Sequence, residues 1–135
     1  MLSLKKRERL KGRKSFEEIF NSGEKIISSD KRVRAIYRVE SPVNKSFVKI
    51  GVAVSKKAGK AVFRNRIRRL LRESYRLNKS EITEHLPEEL GLSILLSPYS
   101  FLDEGKKYRL SYFSESVVEI LQKIRNSVNP DVNGS

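Results

Sequence analysis

The sequence predicts an α/β (α+β) two-layer sandwich in the order helix, three strands, helix, strand, helix, with its four strands in one mixed sheet. Three observations carry this reading. Phe47 to Ser55 alternates strictly, with Val48, Ile50, Val52 and Val54 on one side and Lys49, Gly51, Ala53 and Ser55 on the other, which is the period of a strand. Immediately afterwards the apolar residues Phe63, Ile67, Leu70, Leu71 and Leu77 recur at the spacing of an amphipathic helix. A short apolar run, Leu92 to Leu96, follows before Pro98, so strand, helix and strand make a βαβ unit.

From the start of the chain, Lys5 to Lys14 holds seven basic residues against Glu8. It reads as a flexible basic arm over about residues 1–14 that orders on a polyanion, or as a solubilising tail. Ser15-Phe16-Glu17-Glu18 has the form of a capping box, with Ser15 as N-cap and Gly23 as the stop. So short a helix persists only if Phe16, Ile19 and Phe20 dock on something, and by themselves these three read as core. Lys25 to Ser28 is a weak strand. In Arg32 to Val39, Val33, Ala35, Tyr37 and Val39 point one way and Arg32, Arg34, Ile36 and Arg38 the other; the second face is too charged to be fully backed. Ser41-Pro42-Val43-Asn44 marks a turn.

After Leu77 the chain turns polar and acidic, with one helical turn expected around Ile82–Leu86. Tyr99 to Arg109 reads as a loop. Ser111 to Arg125 is a packing helix, with Phe113, Val117, Ile120, Leu121 and Ile124 on one side. The 135 residues suit a single domain, with a frayed tail over about residues 127–135.

The net charge of +13 is uneven: residues 1–79 hold 24 basic and 7 acidic residues, whereas residues 80–135 hold 5 and 9. Without cysteine, disulfides and thiolate chemistry are excluded. No apolar run has the length of a membrane span and the N-terminus lacks the apolar stretch of a signal peptide, so no membrane association and a cytoplasmic location are expected. His85, the sole histidine, sits in an acidic connector. The pairs Glu17-Glu18 and Glu88-Glu89 lack partners that would hold two metal ions. No catalytic side chain and no metal ligand is therefore expected in the protein itself.

The segment from Ser55 to Leu77 holds nine basic residues and one acid, Glu73. Arg64, Asn65, Arg68, Arg69, Arg72 and Arg76 fall opposite the apolar stripe. Like charges a turn apart disfavour a helix until a polyanion covers them, and RNA or DNA phosphate is the natural cover. A solvated face would mix both signs.

The order Lys-Lys-x-Gly-x-Ala-x-x-Arg-Asn-Arg-Ile-Arg-Arg-Leu-x-Arg, from Lys56 to Arg72, resembles the signature of the bacterial ribonuclease P protein component. The resemblance spans about residues 5 to 125 and includes the short Phe16/Phe20 helix with its following glycine. It implies a left-handed βαβ crossover. It also implies a protein that assists a catalytic RNA, one protein per RNA, in the Mg²⁺-dependent removal of the 5′ leader from precursor tRNA, the Mg²⁺ being held chiefly by the RNA.

On this resemblance Lys56, Lys57, Lys60, Arg64, Asn65, Arg66, Arg68, Arg69 and Arg72 engage the catalytic RNA. Phe16, Phe20, Tyr37 and Ala53 line a cleft for the single-stranded leader, where aromatic stacking tolerates any sequence. Two features depart from the family: the Tyr99–Tyr112 connection is longer, and Ser97 precedes Pro98 where a basic residue is common. A non-enzymatic RNA-binding module, such as a ribosomal or assembly protein, is the alternative from the same basic helix.

Overall fold

The structure, a computed structural model, describes residues 4–129. The outermost parts of the expected arm and tail, residues 1–3 and 130–135, lie outside the described residues. Four strands, β1 (Glu24–Ile27), β2 (Val33–Glu40), β3 (Phe47–Val52) and β4 (Gly91–Pro98), form one sheet in the order β1-β2-β4-β3. β3 and β4 are parallel and the other pairs antiparallel, so the sheet is mixed as the sequence predicts. The parallel pair follows from the long helix between its strands, since a tight turn joins only antiparallel neighbours.

That helix, α2 (Ala61–Asn78), packs with α4 (Leu110–Val128) on one face of the sheet. Val33, Ala35 and Tyr37 of β2, Val48, Ile50 and Val52 of β3, and Leu92, Ile94 and Leu96 of β4 meet Ile67, Leu71, Phe113, Val117, Ile120 and Ile124 there in the main core. A short helix, α1 (Arg13–Ser22), lies on the other face, where Ile19 is buried against Ile36 and Leu95. β4 is central and covered on both sides, by the main core at Leu92, Ile94 and Leu96 and by α1 at Leu95.

Several expectations are corrected in detail. α1 starts at Arg13, with Gly12 at φ 83° as its N-cap, and no side chain caps it; Ser15 already lies inside the helix. The left-handed turn at Gly12 swings the chain from the arm into the helix before Ser15 is reached. On α2, Leu77 is 53% exposed and Tyr75 takes the core position, because Tyr75 lies one turn beyond Leu71 on the same side whereas Leu77 has rotated away. Ser74, also buried, returns its hydroxyl hydrogen to the Leu70 carbonyl at 2.9 Å. The turn expected around Ile82–Leu86 begins earlier, as α3 (Ser80–Thr83), with Ile82 buried. α4 runs to Val128, into the expected frayed tail, because Ser127 bonds Tyr37 and Val128 packs on the core.

The arm departs most from expectation. Leu4 is buried in the main core, Lys6–Glu8 form a 3₁₀ turn, and Arg9 bridges Ile50 in parallel, with the Leu10 amide donating to the Ile50 carbonyl at 2.8 Å. Lys79, just beyond α2, pairs with Glu8 at 2.7 Å. Burial opposes ionisation of Glu8, but hydrogen bonds from Lys79 and the Lys5 amide outweigh it and hold the carboxyl below its ordinary range. Leu4 and Leu10 supply the apolar anchors that let so basic a segment dock.

The turn between β1 and β2 is tied to α4. Asp30 accepts from Ser28 Oγ at 2.7 Å, the Arg32 amide at 3.0 Å and Ser116 Oγ at 2.6 Å. Burial alone would raise its pKa; these donors outweigh burial and lower it.

Candidate nucleic-acid interface

The β3–α2 connection joins two surfaces of different chemistry. Ser55 Oγ accepts the Lys57 amide at 3.2 Å and opens a 3₁₀ turn, Lys56–Ala58, that leaves Lys56 and Lys57 exposed. Gly59 follows at φ 151°, a conformation that favours glycine. The Glu104 carboxylate lies so close that a Cβ on Gly59 would be 2.8 Å from its Cδ. The same carboxylate accepts the Lys60 amide at 2.9 Å, satisfying one of the free donors at the start of α2. The long 99–109 loop thereby fixes where the basic helix begins.

On α2, Asn65 and Arg69 are exposed, and Arg68 donates to Asn65 Oδ1. Arg64 donates to the Gly59 carbonyl at 3.0 Å. Arg72 lies near Arg68 and near Arg9 from the docked arm; burial and then these two like charges push its guanidinium below its ordinary pKa. No ion pair among the described residues claims Lys56, Lys57, Lys60, Arg64, Arg66, Arg68, Arg69 or Arg72. Arg76 differs, since Glu73 holds it with contacts of 2.5 and 2.9 Å. Arg66 leans toward the loop and donates to the Tyr108 carbonyl at 3.0 Å, so one of its guanidinium nitrogens ties the loop to the helix. Helix and arm together present unneutralised cations, the electrostatic requirement for binding nucleic-acid phosphate.

The second surface is the sheet face that carries α1. Three rows cross β2, β4 and β3: Arg38–Ser93–Lys49, Ile36–Leu95–Gly51, and Arg34–Ser97 with Ala53 beyond. The apolar middle row is roofed by α1. At Gly51 a Cβ would lie 2.9 Å from the Phe16 ring, so the missing side chain is what lets that ring lie on the sheet. On one side of α1 the first row floors a basic groove of about 570 Å³ with Arg7, Arg9 and Lys11 at its wall. On the other side Phe16, Phe20, Ala53 and Leu95 line an apolar trough of about 270 Å³. Phe20 is 51% exposed, and the Lys25 ammonium and Arg34 guanidinium lie 6.0 and 5.9 Å from its ring centroid. A half-free ring flanked by cations suits a stacked base and its phosphates.

The structure thus brings Phe16, Phe20 and Ala53 together but not Tyr37. Tyr37 is 4% exposed in the main core on the opposite face. Its hydroxyl donates to Glu24 at 3.1 Å and exchanges a hydrogen bond with Ser127 at 3.0 Å. Its place in a shared cleft is withdrawn, and the β2 residues that do face the cleft are Arg34, Ile36 and Arg38. Their excess of charge on an otherwise strand-like face was the signal available in the sequence. Arg9, brought to Arg72 only by the docking of the arm, left no such signal.

Comparison with known proteins agrees with this geometry. The family model described as Ribonuclease P matches residues 4–123. The ribonuclease P protein component of Bacillus pumilus is 33% identical over 126 residues, covering 92% of this chain and all of the relative. That of a Geobacillus species is 39% identical over 122 residues, covering 89% and 92%. Among solved structures, the RNase P protein from Thermotoga maritima superposes with a TM-score of 0.67 at 28% identity, covering 87% of this chain and 97% of that one. The Staphylococcus aureus RNase P protein gives 0.63 at 25% identity, covering 92% and 100%. The arginine helix, the α1-roofed sheet and a match along nearly the whole chain converge on one assignment: the chain belongs to the ribonuclease P protein family.

Proposed function

We propose that this chain is the protein subunit of ribonuclease P and acts in the cytoplasm, one copy per catalytic RNA, in removing the 5′ leader from precursor tRNA. The observation that carries this reading is the arrangement around the β3–α2 connection. A surface of unpaired guanidinium groups and an aromatic trough diverge from the same few residues, so one rigid element can hold two RNAs side by side.

In this mechanism Lys56, Lys57, Lys60, Arg64, Asn65, Arg68, Arg69 and Arg72 bind phosphates and sugars of the catalytic RNA. Arg66 shares that surface while holding the loop. Phe16 and Phe20 stack on leader bases above Ala53, and Arg34 and Lys25 meet the leader phosphates. The positive field between the surfaces offsets the repulsion of the two RNA backbones, which lowers the Mg²⁺ concentration that cleavage needs. Mg²⁺, held by the RNA, supplies the hydrolytic chemistry. Among the described residues no three histidine or acidic side chains gather to hold a metal ion, and no step is assigned to a metal on the protein.

The test is 5′ cleavage of a precursor tRNA at low Mg²⁺ by the protein alone, by a bacterial ribonuclease P RNA alone, and by the two together. Cleavage only in the mixture is expected. Cleavage by the protein alone would reassign the chemistry to it. A mixture no better than the RNA alone would mean that the arginine helix serves another RNA, as a binding module would.

A further inference from the structure

The connection between β4 and α4 carries exposed aromatic surface that the two RNA contacts above leave unused. Phe101 is 88% exposed and Tyr99 48% exposed. Neither ring stands on a loose loop. Next to Phe101, Leu102 is buried in the main core, the Asp103 amide donates to the Tyr108 hydroxyl at 2.8 Å, and Glu104 holds the Lys60 amide. The Tyr99 amide donates to the Arg32 carbonyl at 3.0 Å. Two large apolar rings are therefore held in water by a fixed base, an arrangement that costs hydration free energy until something covers them.

Their surroundings indicate what covers them. Both rings line a hollow of about 500 Å³ with Phe20, Arg34, Ala53 and Lys57. Phe20, Ala53 and Leu95 also line the α1 trough, so the two depressions are continuous. No carboxylate lines the hollow, and no ion pair among the described residues claims Arg34 or Lys57. Flat rings beside unpaired cations, continuous with a trough for unpaired nucleotides, fit more of the same strand.

We propose that Tyr99 and Phe101 form a second stacking platform that extends the Phe16–Phe20 trough and holds one or two further nucleotides of the single-stranded leader. Their bases lie on the two rings, and the Arg34 guanidinium meets the phosphate between the two platforms. This rests on the reading that the trough holds the leader. It gives the longer loop a use, binding substrate with rings just beyond the end of β4, where Ser97 offers no charge.

The test uses holoenzyme reconstituted with a bacterial ribonuclease P RNA and precursor tRNAs whose leaders run from about one to about ten nucleotides, a range that spans typical single-strand site sizes. Affinity is measured against leader length for the unaltered protein, for Tyr99→Ala/Phe101→Ala, for Tyr99→Leu/Phe101→Leu and for Phe20→Ala. The unaltered enzyme gains affinity in steps. Both loop variants are expected to lose one or two steps, amounting to about five- to a hundredfold, and to keep the steps that Phe20→Ala removes. The leucine variant keeps apolar bulk without a flat face, so its loss ties the effect to stacking. A normal profile in the loop variants, with Phe20→Ala flattened, overturns the second platform and leaves the trough reading in place. A normal profile in Phe20→Ala as well overturns the trough reading and the platform with it. Equal weakening at every length, mature tRNA included, also overturns the platform, since the loop would then be touching some other part of the complex.

Discussion

Arg72 offers a sharp test of the electrostatic reading because its removal should affect the free and bound protein differently. In the free protein its guanidinium is partly buried beside Arg9 and Arg68, so neutralising it relieves both desolvation and repulsion. Arg72→Gln, which keeps most of the apolar stem, is expected not to lower the melting temperature. On the proposed function, the same side chain replaces a counterion at a phosphate of the catalytic RNA. Each such contact contributes about 0.7–0.9 to the slope of log K against log salt. At about 0.1 M salt, a decade below the 1 M reference, the loss is about five- to eightfold in affinity, or about 1 kcal/mol. The assay is filter binding or fluorescence titration of the catalytic RNA across a salt series. Glu73→Gln/Arg76→Gln serves as the control: it removes a neutral pair held by contacts of 2.5 and 2.9 Å and should leave the slope unchanged. An unchanged slope for Arg72→Gln, or an equal fall in the control, would refute the claim that the unpaired arginines are the contacting ones.

Three further predictions concern the fold and the boundaries of the site. Tyr37→Phe removes the hydroxyl bonded to Glu24 and Ser127 on the core side; it should lower stability by about 1 kcal/mol in a urea melt and leave discrimination between precursor and mature tRNA unaltered. Gly59→Ala places a Cβ 2.8 Å from the Glu104 Cδ on backbone at φ 151°. A loss of about 1–3 kcal/mol is expected in thermal melts, and Glu104→Ala in the same background should recover the part due to the clash but not the part due to the backbone. Asp30 has its pKa lowered in the folded state, from an ordinary 3.8. Its contribution is therefore complete above about pH 5, and is lost as the pH falls through the unfolded value toward the lower folded one. The gap in urea midpoint between the unaltered protein and Asp30→Asn should narrow over that descent; a gap independent of pH would mean that the Asp30 charge is not what matters.

The parts of the fold legible in the sequence are those where a single periodicity had no competitor. β3 alternates cleanly between Val48, Ile50 and Val52 and their small or charged neighbours, and α4 places its five expected apolar residues in the core. β2 was harder, because Ala35 and Tyr37 on one face and Ile36 on the other are all buried. Alternation fixes which residues travel together but not which set meets which layer; it was the family resemblance, not the pattern, that placed Tyr37 in the cleft. α2 shows a related limit: Leu77 is apolar yet exposed, while Tyr75 fills the core, a choice made by helix rotation rather than by hydrophobicity. For the interface, the arginine run was legible because charge density needs no tertiary information. The nearness of Arg9 to Arg72 and the meeting of Phe20 with Tyr99 and Phe101 depend on contacts between residues far apart in the chain.

The docked arm has a consequence for the physical state of the protein. β3 lies at the end of the sheet, and an uncovered terminal strand offers its backbone donors and acceptors to any passing chain. The Arg9–Ile50 bridge and the bond from the Leu10 amide to the Ile50 carbonyl occupy part of that edge. The segment that adds Arg9 to the cationic surface is therefore also the guard against strand-to-strand aggregation. Removing the arm to simplify the protein would uncover a template for self-association as well as subtract positive charge.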